Sequence, residues 1–488
     1  MESQEDHIIL IPFMAQGHLR PFLHLAHRLS SSARYTITLL TTPLNAAKLR
    51  EGINSIAAND PTKIIISELA FNGEDYDLPP NVENTEKLPL THVINLFHSS
   101  ASLEPHLEDF LTRHLARHHR PPLAVVFDNF LGWADRVARK FNSTGIAFST
   151  CGAYGTAAYS SIWCHLPHRS SGEEEFCVPG FPDNRRFCRD QLHRFVRYAD
   201  GDDNWSTFFQ PQIKMSLKCS GWLVNSVEEV EQLGFEILRN LLKLPVWAVG
   251  PLISAPIPLP DDECIKWLNK REKDSVLYIS FGSQNTINPT QMIELASGLE
   301  LSGKPFLWVI RPPFGFDING EFKPEWLPDG FEARVVPGQG MMVQKWGPQL
   351  EILSHEAVGG FMSHCGWNSV LEGLREGVPI VGWPLAAEQA YNAKMLVEEM
   401  GVAVEVARGV DGEVGREKVK TVVEMVLDRA EGSVGRELKR KAVEVGRRLR
   451  DAVEVVDGVG KGSSVKGVDD FLEFVETRRS CNENYNAV

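Results

Sequence analysis

No stretch of the 488-residue chain reaches the roughly 18 consecutive apolar residues that cross a bilayer, which argues against a helical membrane span. Basic residues are in deficit. Fifty Lys and Arg against 64 Asp and Glu leave a formal net charge of −14, the wrong sign for a surface that grips nucleic-acid phosphates. The eight cysteines (151, 164, 177, 188, 219, 264, 365 and 481) contain no Cys-x-x-Cys pair and no metal-ligand spacing, so neither a zinc module nor a redox pair is expected. The first loop, around Gly17 and His18, is not a Gly-x-Gly-x-x-Gly turn, which removes the nicotinamide-dinucleotide fingerprint. Near the other end, Lys461 is followed by Gly462 rather than by Ser or Thr and no strand precedes it, so residues 458–463 are expected to be a plain loop and not a phosphate loop. The acidic start MESQEDH, with only a short apolar run after it, is unlike a secretory leader. Without such a leader the formal sequons at Asn142 and Asn204 carry little weight. A hydrophobic content of 43% with 23% charged residues is that of a globular protein, and the length predicts two or three domains. A reduced, cytoplasmic protein is expected.

What is present is a repeating strand–helix pattern. Residues 8–11 form a continuous apolar run, as in a strand buried on both faces of a parallel sheet. The run leads through Pro12 and Phe13 to Gly17 and His18, and Pro21 opens a helix. His18 is thereby placed beyond the carboxyl end of the first strand, the edge at which open α/β sheets bind ligands. Further strands are predicted at residues 37–41, 64–66, 123–127, 145–149, 222–226 and 246–249, with helices over about 90–118 and 230–242. The basic end of the first of these helices (Arg113, Arg117, His118, His119, Arg120) suits a solvated helix C-terminus. Asp128 stands at a strand end, a position for a helix cap or for a functional carboxylate. Over residues 154–207 the periodicity fades and aromatics are scattered among Cys, Pro and Arg, which suggests an insertion lining a pocket. Asp200-Gly201-Asp202 is a literal DxD, but it sits in a polar run with no strand before it and is expected to be a solvated loop. Pro251, Pro256, Pro258 and Pro260 mark residues 251–262 as a linker.

The second half repeats the design. A buried run at 275–281 ends in Gly282-Ser283, strands are predicted at 306–310 and 341–343, and a long helix near 436–455. The richest stretch follows, from Trp346 to Gln389. An apolar strand at 358–363 turns through His364, Cys365, Gly366 and Trp367 into a helix over about 368–376, which Gly377-Val378-Pro379 ends. A helix amino end behind a Gly-containing turn offers unpaired N–H groups and the positive end of a dipole, a site for phosphate. Asn368, Ser369 and His364 can add side-chain donors. The flat ring of Trp346 suits stacking on a base, and Glu372 suits the two vicinal hydroxyls of a ribose. Glu388 and Gln389 could grip the hydroxyls of a sugar.

This stretch resembles the plant secondary-product glycosyltransferase box of the UDP-dependent enzymes in glycosyltransferase family one. Trp346, Pro348, Gln349, Leu353, His355, Gly360, Phe361, His364, Gly366, Trp367, Asn368, Ser369, Glu372, Gly377, Val378, Pro379, Pro384, Glu388 and Gln389 all stand where the box has them. Two departures stand out: Gly347, where Ala is commoner, and a short interdomain linker. The resemblance implies the GT-B architecture: two facing Rossmann-like, doubly wound parallel-sheet domains with a cleft between them. Residues 1–250 would bind the acceptor and residues 263–465 the UDP-sugar, with 466–488 a helix and tail that can pack back on the first domain. It also implies an inverting transferase. His18 would be the general base and Asp128 its partner, with Thr150, Ser283, Gln349 and Trp367 added to the donor site. Phe13, Phe130, Trp133 and Tyr154 would line the acceptor pocket. Gln389 leans toward UDP-glucose, and a flavonoid, phenylpropanoid or terpenoid hydroxyl is the expected acceptor. A different donor sugar, a carboxylate acceptor or a non-catalytic nucleotide-sugar binder are the alternatives. No metal, no cofactor beyond the donor co-substrate and a monomeric state are expected.

Overall fold

In the computed structural model, which describes residues 6–31, 34–56, 64–88, 92–336, 338–456 and 460–486, the apolar runs become the strands of two parallel sheets. The first contains β1 (Asp6–Ile11), β2 (Tyr35–Thr41), β3 (Ile64–Glu68), β4 (Ala124–Asp128) and β5 (Thr144–Ser149). A short antiparallel hairpin, β6 (Glu175–Phe176) and β7 (Phe187–Cys188), stands apart, and β8 (Trp222–Val224) and β9 (Val246–Ala248) complete the first sheet. Its order is β3-β2-β1-β4-β5-β8-β9, with every neighbouring pair parallel. The second sheet contains β10 (Val276–Ser280), β11 (Phe306–Ile310), β12 (Gly340–Gln344), β13 (Val358–Ser363), β14 (Ile380–Gly382) and β15 (Ala403–Glu405). It is ordered β12-β11-β10-β13-β14-β15 and is also parallel throughout. Helices flank both sheets, so central strands such as β1, β4, β10 and β13 carry almost unbroken apolar sequence.

The strand orders fix where ligands go. In the first sheet the winding reverses between β1 and β4, and in the second between β10 and β13. A crevice opens beyond the carboxyl ends of the two strands at each reversal. His18 follows β1 and Asp128 ends β4, while Gly282 follows β10 and His364 follows β13. Both sets of candidate residues therefore lie at switch points.

Residues 251–262 cross between the sheets without a helix or strand, and Asp262 caps the helix Glu263–Leu268 through Cys264 and Ile265 N–H. The last helix, Ser463–Asn486, returns to the first sheet. Phe471 and Phe474 pack against Trp247 of β9 with ring centroids 5.7 and 5.1 Å apart, and Val468, Phe471 and Val475 share a core with Ile8 and Leu10. Tyr35 and Arg34 reach Glu476 across the same contact.

Four expectations change. The helix predicted over 90–118 is broken into Val93–Ser99, a 3-10 turn at Ser100–Ser102 and Leu103–His118, its first residues lying outside those described. Ser99, Ser100 and Ser102 each donate a hydroxyl hydrogen bond to the carbonyl three residues back, the local competition that tightens a helix. The stretch 154–207 is more regular than its pattern suggests, for it holds the helix Ala153–His165, the β6–β7 hairpin and the start of the helix Asn204–Ser216. The helix Ala153–His165 is buried nearly all round, so no amphipathic stripe marks it. The helix expected near 436–455 spans Val434–Asp451, with Ser433 as its cap. Residues 460–461 pair with Val455–Val456, while Gly458 and Val459 lie outside the described residues. The Asp200-Gly201-Asp202 segment is a capping loop as expected: Asp200 accepts from Asp202 and Asp203 N–H, and Asp203 caps the next helix.

Truncating the returning helix at its best-buried ring tests its importance. Phe471→Ala removes a fully buried aromatic, so thermal or denaturant unfolding is expected to show a loss of roughly 3–5 kcal/mol, the usual range for such a deletion.

Candidate active site

The loop after β1 folds back on itself through Ala15, whose carbonyl accepts from His18 and Leu19 N–H as the helix Gln16–Ser30 begins. This sets the His18 ring at the sheet edge. Its Nδ1 lies 2.6 Å from Asp128 Oδ2, with the imidazole side chain 21% exposed and the carboxylate fully buried. The other oxygen, Oδ1, accepts from Phe130 N–H at 3.1 Å, so one carboxylate holds its own turn and the ring together. Thr150 Oγ1 lies 3.4 Å from the same Nδ1. With Nδ1 engaged, Nε2 is left to face a substrate. Burial opposes a charged ring, yet the Asp128 charge and hydrogen bond, with the Glu388 charge behind them, raise the His18 pKa above the ordinary 6.5.

Opposite stands the turn Ser363–Gly366 and the helix Trp367–Arg375. No side chain caps this helix, so its first N–H groups and dipole point into the cleft. His364 is buried, and its desolvated ring stays neutral, with a pKa pushed down to about 4. Two glycines make room for it: a Cβ on Gly282 would sit 2.9 Å from the ring, and one on Gly366 only 2.4 Å from Nε2. Gly282 also needs its positive φ of 80°. His364 Nδ1 and Asn368 Oδ1 have no partner among the described residues, although both are buried. Unpaired buried polar atoms beside an uncapped helix start are what an incoming phosphate would satisfy.

Around this start the donor candidates fall into place. Gln349 donates to Ser369 Oγ at 3.1 Å and to Glu372 at 2.5 Å, and accepts from the Tyr278 hydroxyl at 3.2 Å. Burial pushes the Glu372 pKa up, against the opposing hydrogen bond from Gln349. Trp346 stands 67% exposed at the rim, a free face for stacking. Ser283 is exposed beside Gly282. Gln389 turns its Oε1 back to accept from Leu385 and Ala386 N–H at 2.9 and 2.8 Å, which leaves its amide nitrogen for a ligand. Glu388 lies close enough to His18 for their charges to interact, and its own pKa is raised, chiefly by burial.

The two halves are joined at the site itself. Asn368 Nδ2 donates to the Gly17 carbonyl at 3.1 Å, linking the helix start to the residue before His18. Trp367 donates its indole N–H to the Asn225 carbonyl at 2.6 Å, and Asn225 in turn donates to the Thr150 carbonyl at 3.3 Å.

Sequence comparison meets this geometry from both ends. A glycosyltransferase N-terminal domain family matches residues 5–254, and the UDP-glucoronosyl and UDP-glucosyl transferase family matches residues 234–431. UDP-glycosyltransferase 92A1 of Arabidopsis thaliana is 40% identical over 479 residues, 96% of each chain. The chain is a plant family-one UDP-glycosyltransferase. Crocetin glucosyltransferase 3 of Crocus sativus is 43% identical over 88% of this glycosyltransferase and 92% of that one. Among solved structures, Medicago truncatula UGT71G1 complexed with UDP-glucose matches with a TM-score of 0.76 at 26% identity, covering 96% of this chain and 98% of that one. Glycyrrhiza uralensis UGT73P12, complexed with glycyrrhetinic acid 3-O-monoglucuronide, matches with a TM-score of 0.81 at 25% identity over 99% and 98% of the two chains. The glycosyltransferase thus has the GT-B fold.

Three expected site residues of the glycosyltransferase stand elsewhere. Trp367, expected in the donor site, has its ring buried as a plug between the lobes, against Gly152. Trp133 is buried in the first core, behind the helix it starts. Tyr154 is buried, with its ring packed against Phe181 and Phe187. Phe13 and Phe130 do flank His18, at ring-centroid distances of 5.6 and 5.4 Å. They continue into rings that the sequence reading did not single out. Phe97 stacks on Phe13 at 4.5 Å, Phe209 and Tyr159 contact Phe130 at 5.2 and 5.8 Å, and Trp163 stacks on Phe209 at 4.8 Å. The adjacent Phe208-Phe209 and the Tyr159/Trp163 spacing of one helical turn were the signals available for them.

A general base works from its neutral form, and His18 is the candidate for that role. Because the His18 pKa is raised, kcat/KM is expected to fall with decreasing pH through a midpoint above 6.5. Asp128→Asn removes the largest raising influences and leaves the opposing burial. Initial rates across pH should show the acid limb moved to lower pH, with a much reduced plateau.

Proposed function

We propose that this enzyme transfers glucose from UDP-glucose to a hydroxyl of a small lipophilic plant metabolite, with inversion, giving a β-O-glucoside. The observation that carries this reading is the His18–Asp128 pair held by Asn368 against the uncapped helix start. In the proposed step His18 Nε2 takes the acceptor proton as the acceptor oxygen attacks the anomeric carbon. The bond from that carbon to the diphosphate breaks, and UDP leaves with the electron pair. Asp128 stabilises the imidazolium so formed. The negative charge that grows on UDP meets the helix amino end, His364, Asn368, Ser369 and Ser283, so the step as written calls on no metal ion.

In this reading residues 1–250 form the acceptor lobe and 263–465 the donor lobe. Trp346 stacks on uracil, Glu372 holds the ribose with Gln349 fixing its carboxylate, and Glu388 and Gln389 hold the hexose. Thr150 orients His18 and faces the sugar. The acceptor lies among Phe13, Phe97, Phe130, Tyr159 and Phe209, whose ring faces suit a flat or polycyclic aglycone. Relatives named for crocetin and for flavonoid acceptors support that class. In this reading the enzyme is a monomer that works in the cytoplasm; no described helix is long and apolar enough to cross a membrane.

Two variants separate the base from the donor grip. His18→Ala should lose roughly 10²–10⁴-fold in transfer, the range of positioned base catalysis, while calorimetry still detects UDP-glucose binding. Turnover at the wild-type rate would remove His18 from the mechanism. Gln389→Ala should raise the KM for UDP-glucose more than that for a flavonol acceptor. Equal changes in the two constants would leave Gln389 a packing residue.

A further inference from the structure

At the opposite end of β1 from the catalytic loop, three imidazoles converge. His7 lies in β1, and His114 and His118 are one turn apart on the helix Leu103–His118. A ring nitrogen of each lies within 4.8 Å of those of the other two. The ring centroids are 4.9 Å apart for His7–His114, 4.4 Å for His7–His118 and 4.5 Å for His114–His118. His114 is buried, while His7 and His118 are half-buried and open to solvent on one side. We propose that His7, His114 and His118 form a binding site for a divalent cation of the zinc class, with water in the fourth position, clasping the start of β1 to the end of that helix.

Side-by-side histidines on a helix often only stack, so the geometry has to favour more than stacking. Zinc–imidazole bonds of about 2.0–2.1 Å put tetrahedral donors roughly 3.4 Å apart. The ring nitrogens need close by at most about 1.4 Å, which rotation about the side chains' own bonds supplies without moving strand or helix. The surroundings keep His114 and His118 in the ligating form. Burial first, and then the neighbours His7, His118 and Arg120, push the His114 pKa down to about 4, and burial with Arg117, Arg120 and His119 lowers that of His118. Neutral rings keep their lone pairs at physiological pH. The same two guanidinium groups disfavour a cation, but Arg120 is paired with Asp6 at 3.1 Å, a carboxylate that also meets Arg479. The site is remote from the cleft, so its occupancy is structural and leaves the sugar-transfer chemistry to His18.

Titrating the full-length chain with cobalt(II) chloride tests this. One equivalent should bind, with the intense visible ligand-field bands of four-coordinate cobalt, and zinc chloride should displace it and raise the unfolding temperature. His118→Gln and His7→Gln should each weaken binding by roughly 100-fold or more and abolish the zinc-dependent stabilisation, while the exposed neighbour change His119→Gln does neither. Absence of saturable one-to-one binding overturns the site, and so does binding that survives both His118→Gln and His7→Gln unchanged.

Discussion

A pair of hydrogen bonds across the lobe boundary gives the site its geometry. Asn368 to the Gly17 carbonyl and Trp367 to the Asn225 carbonyl tie the first two residues of one helix to the switch-point loops of the opposite sheet. Everything chemical depends on that tie, because neither sheet alone holds a reacting pair. In the proposed mechanism the first provides the base, His18, with a raised pKa, and the second provides positive potential without a formal cation. A base and an anion site become a transferase only when their separation is set to the length of one sugar. The Trp367–Asn225 bond is the firmer half of the tie, because it is buried and leaving its donor unpaired costs about 1–3 kcal/mol, whereas the Asn368–Gly17 bond is exposed.

The electrostatics divide the work by solvation. His18 keeps a fifth of its side chain exposed, so a proton can enter and leave, while Asp128 behind it is sealed from water. His364 is the reverse case: buried beside two glycines, it cannot charge near neutral pH and acts as an oriented dipole. Two histidines in one cleft thus have separate roles because one has a carboxylate against its Nδ1 and the other does not.

Much of this was legible in the sequence wherever a residue acts close to its own strand or helix. Strands with unbroken apolar runs, the loop positions of His18 and Asp128, and the uncapped start of the helix Trp367–Arg375 all follow from local pattern. The failures have a shared cause in long-range packing. Trp367 sits in the box beside true cleft residues, and only the partner lobe, through Asn225 and Gly152, decides that its ring is a plug. Tyr154 and Trp133 belong to the right loops, but the direction of a side chain on a fully buried helix has no amphipathic signature. The rings Phe97 and Phe209, which the sequence does not mark, come from separate segments that meet Phe130 only after folding.

The returning helix Ser463–Asn486 means that the polypeptide passes between the lobes twice, once through residues 251–262 and again before Ser463. Bodies tethered at two points keep essentially one easy degree of freedom, a rotation about the line through the tethers. Any opening of the cleft in this transferase is therefore a matter of swivel rather than separation.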